Sequence, residues 1–242
     1  MPGGFHCQRS LDTLASRHRV IALDRPGFGF STRPRTRRWT PQAQANLLRQ
    51  ALARLGVEHP VIVGHSWGAI VALALAIGAP DAVSGLVLVS GYYYPTKRPD
   101  VWLNVAGALP GLGDMLRYTA LPLLWRLALK RAIRTLFAPA PAPDNYLQRV
   151  PKELIVRPSQ IRAASEDASF MVSAVRKLAP FYSHLTMPVT LIAGKGDLVV
   201  DPGRTACVCI AISRTARYMS YPERVIWSTT ATWLLLPVRW AP

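Results

Sequence analysis

Short apolar runs and helix-length amphipathic stretches alternate along the first part of the chain. Residues 20–23, 61–63 and 85–91 are apolar in short runs, as expected for parallel strands that are buried on both faces. Helix-length segments separate these runs. The order strand, helix, strand predicts a mostly parallel sheet with right-handed crossovers, which is an α/β fold.

The helix between the first two predicted strands has clear start and stop signals. Thr40 is a suitable cap, Pro41 suits the first helical position, and Gly56 marks the end. One face of this predicted helix carries Leu47, Leu48, Ala51, Leu52 and Leu55.

Residues 92–184 interrupt the alternation, because they contain helical stretches and no convincing strand. Helical spacing joins Ile161, Ala164, Ala168, Met171, Val172, Val175 and Leu178. Aromatic residues of this segment could line an apolar cavity, although most are expected to form its core. These aromatics are Tyr92, Tyr93, Tyr94, Trp102, Trp125, Phe137, Phe170 and Phe181.

Residues 205–242 differ from the rest of the chain. They contain no glycine and a single acidic residue, Glu223, and no helical or strand period is sustained across them. We therefore predict an atypical tail.

The composition favours one globular domain over a disordered chain, since 242 residues with 50% hydrophobic content can bury a sizeable core. The net charge of +16 comes mainly from scattered arginines. A dense basic cluster at residues 33–38 is interpreted as a solvated loop rather than as a nucleic-acid site. Residues 121–136 form a basic amphipathic stretch, for which a solvated helix is favoured over contact with a membrane surface.

Cysteine usage and the amino terminus indicate the compartment. Cys7, Cys207 and Cys209 are odd in number and do not have the spacing of a zinc site or a disulfide framework. The amino terminus lacks the regions of a secretory signal, and no apolar run reaches about 18 residues. A cytoplasmic protein is expected.

Candidate chemistry lies at Gly64-His65-Ser66-Trp67-Gly68, which fits the G-x-S-x-G nucleophile elbow. In this motif a strained turn between strand and helix exposes the serine hydroxyl, so Ser66 is the candidate nucleophile. Gly64 and Gly68 are expected to let the strand and the helix approach closely. The backbone N–H of Trp67 is the candidate oxyanion donor.

Together with two other segments, this elbow resembles the α/β-hydrolase superfamily. Residues 24–31 are similar to the family loop D-x-P-G-x-G-x-S, and residues 187–197 resemble the strand that delivers the triad acid. The resemblance covers about residues 2–204 and implies an α/β-hydrolase core at 1–91 and 185–204, with a helical cap at 92–184. It implies that the first strands and the last strand are missing, as in a truncated chain. It also gives Asp24 a loop-holding role.

The resemblance assigns the acid to Asp197, with Asp201 as the runner-up, in the order serine, acid, histidine. The family's histidine would follow, but none occurs after His184. A frameshift or a truncated gene product would explain this loss. Neither His65 nor His184 is favoured as the base, and three further histidines precede predicted strands, at the wrong edge of the sheet. These three are His6, His18 and His59.

The implied function is a serine hydrolase for a small to medium hydrophobic ester or related acyl substrate, with weak or absent activity because the histidine is missing. A serine at the elbow argues against the haloalkane dehalogenases and soluble epoxide hydrolases, which need a carboxylate there. Lactonase, peroxidase-like, C–C hydrolase and aminopeptidase chemistry stay open. The alternative is a non-catalytic remnant that binds a ligand or has no function. No metal, organic cofactor or nucleic-acid partner is implied, and the oligomeric state stays open.

Overall fold

The computed structural model describes residues 14–96, 109, 111–138, 141, 146–149, 152–194 and 216–221. Four parallel strands form one sheet in the order of the sequence. They are β1 (Val61–His65), β2 (Gly85–Val89), β3 (Val189–Gly194) and β4 (Ala216–Tyr221). The predicted α/β class with a parallel sheet is confirmed.

Two helices flank the first strand of this sheet, namely α1 (Pro41–Arg54) and α2 (Trp67–Gly78). The predicted start of α1 is confirmed, because the Thr40 hydroxyl accepts a hydrogen bond from the Ala43 N–H at 3.2 Å. Its predicted apolar face is partly wrong. Leu47 and Leu55 are exposed, whereas Gln44 is buried because its amide finds acceptors inside the protein.

The described residues between β2 and β3 are helical wherever they form regular elements. These elements are α3 (Leu112–Tyr118), α4 (Ala120–Phe137), α5 (Tyr146–Arg149), α6 (Lys152–Ile155), α7 (Pro158–Leu178) and a 3₁₀ helix (Ala179–His184). A further 3₁₀ turn, Pro80–Ala82, precedes β2. Helical content therefore agrees with the expected cap, and its exact boundaries stay a prediction.

The main core lies between the sheet and α2. Ile70 and Leu73 of α2 and Leu86, Leu88 and Leu191 of the strands are fully buried. Helix α2 is apolar on nearly all sides because α1, α7 and the sheet cover it. This burial fixes the amino end of α2 against the carboxyl end of β1.

The predicted strand at residues 20–23 is wrong, since this segment has no regular structure and Leu23 is 40% exposed. A strand needs a neighbouring strand to bond with, and residues 20–23 do not pair with β1. Strand β1 is an end strand of the described sheet and pairs with β2 alone among the described strands. Val61 and Val63 on one face of β1 are likewise exposed.

Residues 216–221 of the predicted tail form β4, which runs parallel to β3 with Val189 opposite Ala216 and Gly194 opposite Tyr221. Strand β4 is the other end of the described sheet, where Arg217 can remain exposed. A mixed polar and apolar sequence therefore forms a strand that periodicity does not reveal. Across the described ranges, no helix has the length and apolarity to cross a membrane.

Candidate active site

Ser66 lies in a sharp turn between β1, which ends at His65, and α2, which begins at Trp67. Its φ of 52° and ψ of −119° lie in a region that non-glycine residues rarely adopt. The turn is held by a hydrogen bond from the Ser66 N–H to the Val89 carbonyl at 2.9 Å and by another from the Ala69 N–H to the Ser66 carbonyl at 3.0 Å. The predicted strand, strained turn and helix are therefore present.

The two glycines of the motif are not equivalent. A Cβ added at Gly64 would lie 2.6 Å from the Gly68 carbonyl oxygen and 2.8 Å from the Ala69 Cα, both backbone atoms. A Cβ added at Gly68 would meet no atom of the described residues within 4 Å. Only Gly64 is required for the close approach of β1 and α2, so the steric role predicted for Gly68 is wrong.

Trp67 supplies the first N–H of α2, which has no acceptor within the helix. The positive end of the helix dipole adds to the ability of this N–H to stabilise a negative oxygen. The Trp67 indole is buried, and its Nε1 has no hydrogen-bond partner within the described part of the chain. The candidate oxyanion donor is thus the backbone group, and the side chain packs in the core.

The carboxyl edge of the sheet next to Ser66 is closed by a buried tyrosine pair. The Tyr93 hydroxyl accepts a hydrogen bond from the Gly91 N–H at 3.3 Å, and the Tyr182 hydroxyl donates to the Tyr93 carbonyl at 2.8 Å. Burial raises the pKa of both phenols well above the ordinary tyrosine value. Both hydroxyls therefore stay protonated at neutral pH and act as structural groups.

The candidate acids Asp197 and Asp201 lie outside the described residues. Strand β3 ends at Gly194, and the register aligns His65 with Val89 and Val89 with Ile192. The chain consequently leaves β3 at the same carboxyl edge as Ser66. Open α/β sheets keep their sites at this edge.

The described histidines are His18, His59, His65 and His184. His59 precedes β1, and His184 ends the 3₁₀ helix before β3. His65 directly precedes Ser66 and is exposed, on the same face of β1 as Val61. His18 is exposed ahead of the irregular segment, and His6 lies outside the described residues.

Asp24 holds the glycine-rich loop that follows residue 23. Its carboxylate accepts a hydrogen bond from the Phe30 N–H at 3.3 Å, and its carbonyl accepts one from the Ser31 hydroxyl at 2.9 Å. Gly29 has a φ of 55°, and a Cβ there would lie 2.2 Å from the Asp24 carboxylate. The loop-holding role predicted for Asp24 agrees with these contacts.

Sequence reasoning missed a buried ionic cluster that joins this loop to α7. Asp167 is 4% exposed and accepts hydrogen bonds from Arg25 at 2.5 Å, from Arg33 at 3.0 Å and from Gln44 at 3.0 Å. Arg33 also donates to Glu166 at 2.6 Å. The interpretation of residues 33–38 as a solvated loop is therefore wrong for Arg33, which is buried.

The same cluster explains an error in the predicted face of α7. Ala164 is exposed, whereas Gln160 and Asp167 are buried. A buried carboxylate is stable only when charged and polar partners surround it, and three such partners surround Asp167. The available signal was the acidic pair Glu166 and Asp167 in an amphipathic helix, combined with a cluster of arginines far away in sequence.

Metal binding has no support in the described part of the chain, where no three histidine, cysteine, aspartate or glutamate side chains come together. The site therefore consists of a strained serine, a helix amino terminus and a sheet edge. These parts match a nucleophile with an oxyanion donor.

Comparison with known proteins identifies the family. The model of the alpha/beta hydrolase fold matches residues 1–222, which extends the similarity beyond residue 204 and includes β4. Putative carbamate hydrolase RutD of Caulobacter sp. strain K31 is 27% identical over 212 residues, covering 79% of each protein. The same-named protein of Enterobacter cloacae is 33% identical over 90 residues, which cover 37% of this chain and 34% of that protein.

The matches to the first curated relatives thus span about a third of those proteins' length. Among solved structures, the epoxide hydrolase CorEH without ligand has a TM-score of 0.75 at 18% identity and covers 95% of this chain and 84% of its own. At this identity the likeness supports the fold alone. On the family match over residues 1–222, the chain belongs to the α/β-hydrolase fold family.

Proposed function

We propose that this chain is a serine hydrolase in which Ser66 attacks the carbonyl carbon of a small to medium hydrophobic ester or related acyl compound. The observation that carries the proposal is the backbone of Ser66, strained between the carboxyl end of β1 and the amino end of α2. Backbone strain of this kind persists only where the surrounding structure enforces it, and such strained residues cluster at active sites.

In the proposed reaction the Ser66 oxygen bonds to the carbonyl carbon, its proton passes to solvent water, and the negative charge moves to the carbonyl oxygen. The Trp67 N–H at the start of α2 donates to that oxygen. Collapse of the intermediate breaks the bond to the alcohol oxygen, which takes a proton from water, and leaves an acyl-serine that water then hydrolyses to the acid, restoring the Ser66 hydroxyl. Asp197 is proposed as the acid that would orient a base.

The weak point of this mechanism is the base. No histidine follows His184 in the sequence, and loss of a triad histidine lowers turnover by about 10⁴- to 10⁶-fold. We therefore expect slow turnover of substrates, while the Ser66 hydroxyl still reacts with strong electrophiles.

The substrate class follows from the nucleophile and from the names of the relatives. Serine forms acyl intermediates with esters and carbamates alike, because both present a carbonyl carbon bonded to a leaving group. Two of the relatives are named putative carbamate hydrolases, so aryl carbamates should be tested as substrates together with esters.

A second candidate function is ligand binding without catalysis. The sequence after Asp197 favours it, because no histidine follows there to act as the base of Ser66. Such a protein would retain the α/β-hydrolase fold and the strained turn at Ser66 but would not catalyse hydrolysis.

A fluorophosphonate probe distinguishes the two candidates. We expect labelling of the wild type on Ser66, found by mass spectrometry of the peptide, and none in Ser66→Ala. Ser84→Ala is the matched control, since Ser84 is exposed at the opposite, amino end of β2 and should not affect labelling. No labelling of wild-type protein with a folded circular dichroism spectrum would reject the hydrolase in favour of binding.

A further inference from the structure

Helix α4 (Ala120–Phe137) has one face that packs and one face that does not. Leu129, Ile133 and Phe137 are buried and form a small cluster with Tyr146, Leu147 and Ile155. This contact orients α4 on the other helices between β2 and β3. At 100° per residue, Leu124, Leu127 and Arg131 lie about 120–180° from the centre of this buried face and therefore belong to the opposite face.

That opposite face exposes large apolar side chains in its first half. Leu123 is 61% exposed, Leu124 is 56% exposed and Leu127 is 74% exposed. Helix α3 adds Met115 and Tyr118, at 59% and 73% exposure, immediately before α4 in the chain. We call these five side chains the apolar patch. Three of these side chains lie on α4 and two on α3, and large exposed apolar patches mark interaction surfaces.

The second half of the same face is basic. Lys130, Arg131 and Arg134 are exposed, and they lie within about 60° of Leu127 around the helix axis. Helix α4 contains no acidic residue, and none of these three side chains forms an ion pair with a described residue. We call them the basic triplet.

Some arginines elsewhere in the described structure have carboxylate partners. Arg25 and Arg33 are paired with Asp167, and Arg35 is paired with Asp114. The triplet instead resembles the exposed cations near α1, which also form no ion pair with a described residue, and it differs from them in lying beside exposed apolar side chains.

We propose that the apolar patch and the basic triplet together bind the surface of an anionic lipid bilayer. The leucines would enter the boundary between headgroups and acyl chains while the cations contact lipid phosphates, as in interfacial amphipathic helices. This inference is independent of the proposed hydrolase function.

Charge complementarity favours lipid over a second copy of the chain. A self-association through this face would bring two basic triplets to one interface with no acidic side chain on either α4 to offset them. A nucleic acid would match the cations but would leave the apolar patch in water. An anionic bilayer satisfies both halves of the face.

Co-sedimentation with vesicles tests the proposal. Wild-type protein is mixed with vesicles of phosphatidylcholine and phosphatidylglycerol, or with pure phosphatidylcholine as the neutral reference. We expect binding to the anionic vesicles only. Replacing the triplet by glutamine (K130Q, R131Q and R134Q) should weaken binding about 100-fold, since each cation near an anionic surface contributes about fivefold.

Two further variants separate this face from the overall charge of +16. The matched charge control, R38Q with R49Q and R54Q, removes three exposed cations from the region of α1 and should retain most of the binding. The variant L123S with L127S should abolish the binding that survives at high salt, where electrostatic attraction is screened.

Equal losses in the two triple variants would overturn the proposal, because binding would then follow net charge and not this face. Unchanged binding of the leucine variant at high salt would also overturn it. Light scattering tests the alternative that a second copy of the chain binds this face. A wild-type dimer that becomes monomeric in the leucine variant, without vesicle binding by either protein, would assign the face to a second copy.

Discussion

Arg33 and Asp167 form a buried ion pair that joins the loop before α1 to the middle of α7, with 3.0 Å between the Arg33 Nη2 and the Asp167 Oδ1. Their side chains are 2% and 5% exposed. Arg25 and Gln44 contact the same carboxylate, so Asp167 connects α7 to both the glycine-rich loop and α1. The position of α7 relative to the Ser66 turn therefore depends on polar contacts as well as on apolar packing.

Removing the carboxylate of Asp167 should strongly destabilise the protein. Asp167→Ala removes the carboxylate that Arg25, Arg33 and Gln44 share and leaves the buried Arg33 with Glu166 as its one carboxylate partner among the described residues. Losing one partner of a buried ion pair typically costs about 3–5 kcal/mol, and we expect the lower end of this range because Glu166 remains. Urea unfolding followed by circular dichroism measures this change. The control is Arg35→Gln, which breaks an exposed ion pair with Asp114 and should change the free energy of unfolding little. A similar effect of both variants would contradict the buried cluster.

The neighbouring Glu166 predicts a component of acid sensitivity. Burial alone would raise its pKa, but hydrogen bonds from Arg162 and Arg33 outweigh burial and lower the pKa below the ordinary 4.5. A lowered pKa in the folded state means that stability is present above the unfolded value and is lost as the pH falls through the folded pKa. Urea midpoints of the wild type should therefore fall as the pH drops below 4.5.

Glu166→Gln provides the comparison, since glutamine keeps the shape and loses the titration. Its urea midpoint should be lower than that of the wild type near neutral pH, and the two curves should converge in acid. Parallel curves over the whole range would show that Glu166 does not contribute to the acid sensitivity.

The two motif glycines should respond oppositely to alanine. Gly64→Ala places a methyl group against the backbone of Gly68 and Ala69, which we expect to cost at least about 1–3 kcal/mol. Gly68→Ala meets open space in a helix and should be neutral or stabilising by up to about 1 kcal/mol. Thermal unfolding of the pair measures the difference. A larger loss in Gly68→Ala would contradict the turn geometry.

Local rules predicted this turn well because the information lies within five consecutive residues. The strand before Ser66, the strain at Ser66 and the helix after it follow from G-x-S-x-G between apolar runs. The unequal roles of Gly64 and Gly68 could not be predicted, because they depend on how β1 and α2 are inclined to each other. A motif gives the conformation, and packing decides which glycine is needed.

Long-range contacts account for most of what the sequence concealed. Arg33 and Asp167 are 134 residues apart, and nothing near either of them indicates the other. In the same way, residues 20–23 read as a strand from apolarity alone, whereas a strand also needs a neighbour to pair with. Strand β4 shows the opposite case, since pairing with β3 creates a strand from a sequence without a strand period.

Strain at Ser66 can be measured with two substitutions that both remove the hydroxyl. Ser66→Gly can adopt a φ of 52° without strain, whereas Ser66→Ala cannot. Strain of this type costs about 1–3 kcal/mol, partly offset by the extra freedom of glycine in the unfolded chain. We expect Ser66→Gly to be more stable than Ser66→Ala by about 1 kcal/mol in urea unfolding. Equal stability would mean that the turn is relaxed.

Because no histidine follows Asp197 to act as the base, we predict that a base added to the solution restores hydrolysis by Ser66. If Ser66 lacks only a proton acceptor, added imidazole should accelerate hydrolysis of a nitrophenyl ester, because its pKa suits general-base catalysis near neutral pH. Imidazole also cleaves such esters by itself, so the rate with Ser66→Ala is subtracted at each imidazole concentration. A remaining rate that rises with imidazole would support an intact nucleophile and oxyanion donor at Ser66 and Trp67. Identical rates for the two proteins at every concentration would argue against an acyl-transfer site at this turn.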